Sequence, residues 1–359
     1  MMKRFMVMAG GTGGHVFPAL ATARKLQDKG HEVYWLGSAG GMEERLIGDT
    51  DIPLSTVSVS GLRGKGRLAL LLAPFRLVRA LWQALRVVNR VKPDCVIGMG
   101  GFVTGPGGMA AWLTRRPLLV HEQNAIAGMT NRILARFAET VMEAFPGSFG
   151  PGVSTRCTGN PVRADVAALP APEQRMADRG SPRRLLVLGG SLGATAINEK
   201  VPAAVAQLPD ELRPEIRHQC GERNHESAMQ AYETAGVTAS VEPFIKDMAE
   251  AYGWADLVIC RAGALTISEL CAAGVGALLV PFPHAVDDHQ TRNADYMVRA
   301  GAALLMPQHK LTETLLADTL ADLLANPQRL VDMAGAARTL ARPDATERVV
   351  NYCLEAAHV

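Results

Sequence analysis

Three glycine-rich segments hold the residues best suited to chemistry in this chain of 359 residues. They are Gly10-Gly11-Thr12-Gly13-Gly14-His15, Gly98-Met99-Gly100-Gly101-Phe102-Val103-Thr104-Gly105-Pro106-Gly107-Gly108 and Gly189-Gly190-Ser191-Leu192-Gly193-Ala194. Glycine lets backbone N–H groups approach an anion, and a helix N-terminus adds partial positive charge, so such turns suit phosphate. Their other use is a tight connection from strand to helix. Spacing narrows the ligand. None fits G-x-G-x-x-G, and the strand over 31–36 runs into Gly37-Ser38 rather than the acidic residue that holds an NAD ribose. None contains G-x-x-x-x-G-K-[ST], so the lysine and hydroxyl of a nucleoside triphosphate site are missing.

His15 follows the first turn directly, and an imidazole with an unperturbed pKa of about 6.5 suits proton transfer near neutrality. A hydrogen bond to bound phosphate and simple helix capping are the alternatives at this position. Thr266-x-x-Glu269 has the spacing of a capping box, in which Glu269 satisfies backbone donors. His284, Asp287, Asp288 and His289 are zinc-type ligands by residue type, but the spacings of structural zinc sites are absent. No metal and no cofactor is expected.

The elements that must position these groups follow one local grammar used twice. Phe5-Met6-Val7-Met8 precedes the first glycine turn and Leu185-Leu186-Val187-Leu188 the third. Further apolar runs at 94–98, 118–121, 257–260 and 277–281 alternate with helical periodicity. Continuous apolar strands separated by helices predict parallel sheet buried on both faces, and the repeat predicts two doubly wound α/β domains. The stretch from Gly159-Asn160-Pro161-Val162 to Pro182, rich in proline and polar residues, is the expected join.

Bulk properties agree with that size and exclude some classes. A chain of 359 residues with 48% apolar composition exceeds the usual single domain. With 37 basic and 35 acidic residues it lacks the basic excess of a nucleic-acid binder. Six scattered cysteines without CxxC pairs fit a reducing compartment. The N-terminal apolar run is too short for a signal-peptide core, and Pro74, Arg76, Arg79 and Arg86 break the most apolar stretch, 68–88, so no transmembrane segment is expected. From Phe75, apolar residues recur at Val78, Leu81, Trp82, Leu85 and Val88 at helical spacing, with Arg76, Arg79, Arg86 and Arg90 on the other side. Leu68 to Leu72 beside Arg63, Lys65 and Arg67 extend the patch. A basic amphipathic segment of this kind suits the headgroup region of an anionic membrane, or a helix packed on the sheet with solvated arginines.

Eight ordered segments, GGTGGHVFPALA, SGLRGKG, GMGGFVTGPGG, HEQNAIAG, GNPVR, GGSLGA, CRAGALTISE and the DHQ-x-x-NA run from Asp288 to Ala294, resemble the signatures of the MurG family within glycosyltransferase family 28. The resemblance implies the GT-B architecture, two Rossmann-like halves with the substrates meeting in the cleft between them. Residues 1–161 with a C-terminal helix over about 338–359 would bind acceptor and membrane, and 162–337 would bind UDP-N-acetylglucosamine. It further implies inverting transfer of N-acetylglucosamine to the C4 hydroxyl of undecaprenyl-pyrophosphoryl N-acetylmuramyl-pentapeptide. The enzyme would sit peripherally on the cytoplasmic face of the bacterial inner membrane, in reach of a cell-wall synthesis complex. His15 would be the base. Ser191 and the helix start at Ala264, Leu265, Thr266, Ile267 and Ser268 would face the donor diphosphate, Glu269 the ribose, Ile245 the uracil and Arg163 the nucleotide. Thr12, Gly13 and Gly14 would border the donor, Asn124 and Gln290 its sugar, and Gly13, Gly14, Gly105, Gly107 and Gly108 the acceptor diphosphate. A GT-B transferase with a different acceptor and a non-catalytic UDP-sugar-binding regulator are the alternatives.

Overall fold

A computed structural model describes residues 1–59, 72–177, 179–190, 193–285 and 288–358. Ser191, Asp287 and the basic-apolar stretch containing Arg63, Lys65, Arg67 and residues 68–71 lie outside the described residues. The chain divides into two compact units, Met1–Val162 with Pro343–Val359, and Arg163–Arg342.

The first unit is built on seven parallel strands, β1 (Arg4–Met8), β2 (Glu32–Ser38), β3 (Leu54–Val57), β4 (Cys95–Gly98), β5 (Leu118–Glu122), β6 (Thr140–Glu143) and β7 (Arg156–Cys157). Their order is β3-β2-β1-β4-β5-β6-β7. Its helices are α1 (Gly13–Asp28), α2 (Met42–Gly48), α3 (Ala73–Val91), α4 (Thr104–Leu113) and α5 (Met129–Leu134). Strand β1 explains the layering. Phe5 and Val7 pack with Ala19, Ala23 and Leu26 of α1, while Met6 and Met8 pack with Ala84 and Val88 of α3, Ala110 of α4 and Leu134 of α5. Side chains alternate across a strand, so a strand buried on both faces must be apolar throughout.

The second unit repeats the plan with β8 (Arg184–Leu188), β9 (Glu215–Gln219), β10 (Ser240–Glu242), β11 (Leu257–Cys260), β12 (Gly276–Leu279) and β13 (Ala303–Leu305), ordered β10-β9-β8-β11-β12-β13, again all parallel. Its helices are α6 (Ala164–Ala167), α7 (Pro172–Met176), α8 (Thr195–Ala206), α9 (His225–Ala235), α10 (Met248–Trp254), α11 (Ala264–Ala273), α12 (His289–Val298), α13 (Glu313–Leu324) and α14 (Pro327–Thr339). Helix α15 (Ala345–Ala356) belongs to the first unit, where Val349, Val350 and Cys353 join the core beside Phe5 and Val7.

Two expectations change. The stretch after Gly159 is not all linker, because from Arg163 onward it folds into α6 and α7 within the second unit. Arg175 donates to the carbonyls of Ala273 and Gly274 at the end of α11, and Arg179 to those of Gly253 and Trp254 at the end of α10. Guanidinium groups satisfy the carbonyls a helix C-terminus leaves unpaired. The packing face of α3 also differs. Ala73, Ala80, Ala84, Val88 and Val91 are buried, whereas Phe75, Val78 and Trp82 are exposed. Small side chains let the helix approach the layer beneath it, which turns the larger ones outward. Among the described residues no helix is long and apolar enough to cross a membrane.

Candidate functional site

In each sheet the strand order reverses next to the strand that carries a glycine turn, at β1/β4 and at β8/β11. Such switch points are where open parallel sheets bind ligands, beyond the carboxyl ends of the strands.

In the first unit the turn after β1 and the turn after β4 interlock. Gly100 and Gly101 have φ of +94° and +89°, and a Cβ on them would lie 2.3 Å from His15 Nδ1 and 2.3 Å from the Gly10 carbonyl oxygen. Only glycine admits both the backbone conformation and the approach. Buried Glu43, at the start of α2, holds the first turn from the other side, accepting from Gly11 N at 3.2 Å and Ser38 N at 2.7 Å. Nothing in the residue spacing marked Glu43 for this role.

His15 is the third residue of α1, and Thr12 is the N-cap, without a side-chain capping bond. The capping alternative for His15 therefore falls. Its Nδ1 lies 2.9 Å from Gln123 Oε1, and its Nε2 carries no hydrogen bond among the described residues. Gly13 and Gly14 open the same helix, so their N–H groups have no intrahelical carbonyl. Gly105 is likewise in the first turn of α4. Gly107 and Gly108 differ, since both are buried, a Cβ on Gly107 would strike Met8 and one on Gly108 would strike Leu134. Helix packing accounts for those two. Asn124 donates through its backbone and side chain to Glu122 Oε1, while Gly128 N and Asn131 Nδ2 donate to Glu122 Oε2, so a buried carboxylate organises the loop after β5.

In the second unit the described part of the third glycine turn is fastened by Gln219. Its Oε1 accepts from Gly190 N at 3.0 Å and its Nε2 donates to the carbonyls of Gly190 and Pro243. Across the switch point α11 begins at Ala264 after the N-cap Gly263, so the positive end of the helix lies at Ala264, Leu265 and Thr266. Buried Asn293 of α12 donates to the Ala262 carbonyl and fixes that turn, a role the spacing did not announce. Ile267 is fully buried and Ser268 Oγ donates to Ala264 O, so these two contribute backbone and helix structure there. Ile245 is buried, and Gln290 Oε1 accepts from Phe282 N at 2.8 Å.

Glu269 is the sixth residue of α11 and Thr266 the third, not the cap, so the capping-box alternative is excluded by register. The carboxylate is 5% exposed. Tyr252 donates its hydroxyl to Oε2 at 3.2 Å, Arg163 Nε stands 3.6 Å from Oε1, and among the described residues Oε1 has no hydrogen-bond partner. Burial pushes the Glu269 carboxyl above its usual range, and Arg163 and Tyr252 offset this only in part. A buried acceptor held ready beside a guanidinium suits a neutral ligand hydroxyl.

Among the described residues no group of three or more His, Cys, Asp or Glu has the arrangement of a metal site. Asp288 is the N-cap of α12 and accepts from Thr291 Oγ1. One Asp-x-Asp spacing occurs, at Asp49 and Asp51: Asp49 caps the C-terminus of α2 and Asp51 accepts from Gln27. Both are exposed.

Two all-parallel, doubly wound units with ligand-ready switch points define the GT-B class of glycosyltransferase. The glycosyltransferase family 28 N-terminal domain matches residues 5–143 and the family 28 C-terminal domain residues 184–349, and the chain belongs to this family. It is 71% identical over 356 residues to a UDP-N-acetylglucosamine--N-acetylmuramyl-(pentapeptide) pyrophosphoryl-undecaprenol N-acetylglucosamine transferase of Marinobacter nauticus, covering 99% of this chain and 98% of the relative. A transferase of the same name from Hahella chejuensis is 58% identical over 99% of this chain and 98% of its own. The crystal structure of Acinetobacter baumannii MurG superposes with a TM-score of 0.85 at 44% identity, covering 98% and 99% of the two chains.

Proposed function

We propose that the chain transfers N-acetylglucosamine from UDP-N-acetylglucosamine to the C4 hydroxyl of lipid-linked N-acetylmuramyl-pentapeptide, converting lipid I to lipid II in peptidoglycan synthesis. One observation carries this reading: 71% identity along almost the whole chain to a relative named for that transfer. The acceptor oxygen attacks the anomeric carbon, the bond to UDP breaks, and the configuration inverts from α to β. His15 takes the hydroxyl proton through Nε2. The first turn of α11 and the third glycine turn, including Ser191, stabilise charge on the departing diphosphate.

The second unit holds the donor. Glu269 Oε1 accepts from the ribose hydroxyls once Arg163 turns from the carboxylate to the diphosphate, main-chain groups at Ile245 read the uracil, and Gln290 meets the sugar. Thr12 and Asn124 border the donor. The N–H groups of Gly13, Gly14 and Gly105 hold the acceptor diphosphate, a role the buried Gly107 and Gly108 support through packing. Phe75, Val78 and Trp82 with Arg76, Arg79 and Arg86 dock α3 on the anionic, cytoplasmic face of the inner membrane, where the polyprenyl tail of the acceptor resides. Their outward orientation supports this.

The test is turnover of labelled UDP-N-acetylglucosamine with a synthetic lipid-linked muramyl-pentapeptide and a tail-less control. The expected product is the disaccharide-pentapeptide lipid. Binding of the donor without transfer to either acceptor would overturn the reading.

A further inference from the structure

The loop after β5 contains a row of hydrogen bonds that begins at the Gly159 carbonyl, which only accepts. His121 Nε2 lies 2.9 Å from that oxygen, so Nε2 carries the proton. His121 is fully buried, and desolvation lowers its pKa to about 4, leaving it neutral with a lone pair on Nδ1. Gln123 Nε2, 3.1 Å from Nδ1, must then donate to it. That orients Gln123 Oε1 toward His15 Nδ1 at 2.9 Å, and an amide oxygen only accepts. In its neutral form His15 therefore bears its proton on Nδ1 and its lone pair on Nε2. Reversing the amide would set two acceptors against each other at His121 Nδ1, and His121 cannot change tautomer without facing Gly159 with a second lone pair. Asn160 Nδ2 anchors the Gln123 main chain at 3.1 Å, and bare Gly100 gives the His15 imidazole its room.

We propose that Gln123 and His121 are positioning residues that hold His15 in the neutral Nδ1–H tautomer, so that Nε2 is the atom that takes the acceptor's proton. The last clause rests on the base role given to His15 above, whereas the tautomer does not. A base presented in the wrong tautomer offers a proton where a lone pair is needed.

Imidazole ¹⁵N NMR on the full-length chain labelled at histidine reads the tautomer directly. In the wild type His15 should show a protonated Nδ1 and a bare Nε2. In Gln123→Ala and His121→Phe the population should move to the Nε2–H form, with kcat falling toward the roughly 10²–10⁴-fold that a general base contributes and donor KM unchanged. A thermal melt establishes that the variants are folded, and the wild-type spectrum decides the matter even if they are not. A wild-type His15 protonated on Nε2, or an unchanged tautomer in both folded variants, overturns the proposal. If the tautomer behaves as expected but His15→Ala turns over at the wild-type rate, the base role fails and with it the catalytic half of the inference.

Discussion

Each unit buries a histidine that desolvation lowers to a pKa of about 4, yet the two are connected differently. His218 in β9 pairs Nδ1 with Tyr232 Oη at 2.9 Å and Nε2 with Asn198 Oδ1 at 3.0 Å, and Asn198 Nδ2 closes on the Cys220 carbonyl. Every end of that network is satisfied inside the core. The His121 row runs outward through Gln123 to half-buried His15, where Nε2 has no partner among the described residues. Burial and pKa alike fail to separate the two; what separates them is whether the network ends on an open atom. In the second unit the corresponding open end is Glu269 Oε1.

The largest expected effect tests that distinction in turnover. His15→Ala should retain UDP binding, because the groups proposed to hold the uracil, ribose and diphosphate lie in the other unit, and should lose about 10²–10⁴-fold in kcat when chemistry limits the rate. His218→Phe should leave kcat per folded molecule unchanged. Equal losses in the two variants would mean that the closed network also serves catalysis.

Stability against pH should treat the two histidines alike. Each has a folded pKa depressed to about 4 from 6.5, so its contribution is full above about pH 6.5 and is lost as pH falls through about 4. At 1.36 kcal/mol per pKa unit each contributes about 3 kcal/mol over that window. The stability measured by denaturant melts should fall accordingly from pH 7 to 4, and His218→Phe should reduce that fall by about 3 kcal/mol. An unchanged fall would show that His218 is not a buried neutral group.

Glu269→Gln probes the open end in the second unit. A charged hydrogen bond contributes about 1.5–3 kcal/mol, so donor affinity should fall by roughly 10- to 150-fold, and by less for a 2′-deoxyribose donor that lacks one partner hydroxyl. Equal losses for both donors would remove the ribose contact, and the capping-box account is no longer available to replace it.

Much of the fold was legible because the strands are continuously apolar. The runs 5–8, 185–188 and 257–260 fall within β1, β8 and β11, and the two glycine-led units follow from their repetition. What was not legible depends on distant partners. Gly159 reaches His121 across 38 residues, and Arg175 reaches Gly274 across 99. No local spacing encodes either. Thr266-x-x-Glu269 misled because a capping box needs its threonine at the cap, and the helix had already begun two residues earlier at Ala264. Helical periodicity treats large and small apolar residues alike, so it joined Val88 of α3 to Phe75 and Trp82 on one face, whereas packing selected Ala80 and Ala84 to lie with Val88.

That sorting of α3 sets up the smallest expected effect per residue. Among the described residues, the exposed large apolar residues of the second unit are scattered singly, at Met229, Phe244, Phe282 and Leu315, as is usual for protein surfaces. On α3 they gather, and the Arg86 guanidinium lies 3.5 Å over the Trp82 ring. If this face docks on anionic lipid, Arg76, Arg79 and Arg86 should each contribute about 1 kcal/mol near the surface, fading over a Debye length of about 8 Å at physiological salt. Replacing all three with glutamine should weaken cosedimentation with anionic vesicles and leave turnover of a short-tailed, water-soluble acceptor nearly intact. Serine at Phe75, Val78 and Trp82 should also reduce vesicle binding without lowering the melting temperature, because those side chains already face solvent. Leucine at Ala80 or Ala84 should do the opposite, lowering the melt by overpacking a buried seam while sparing the lipid face. Wild-type vesicle binding by the triple glutamine variant, independent of salt, would sink the docking proposal and leave the patch an unpartnered surface feature of the first unit.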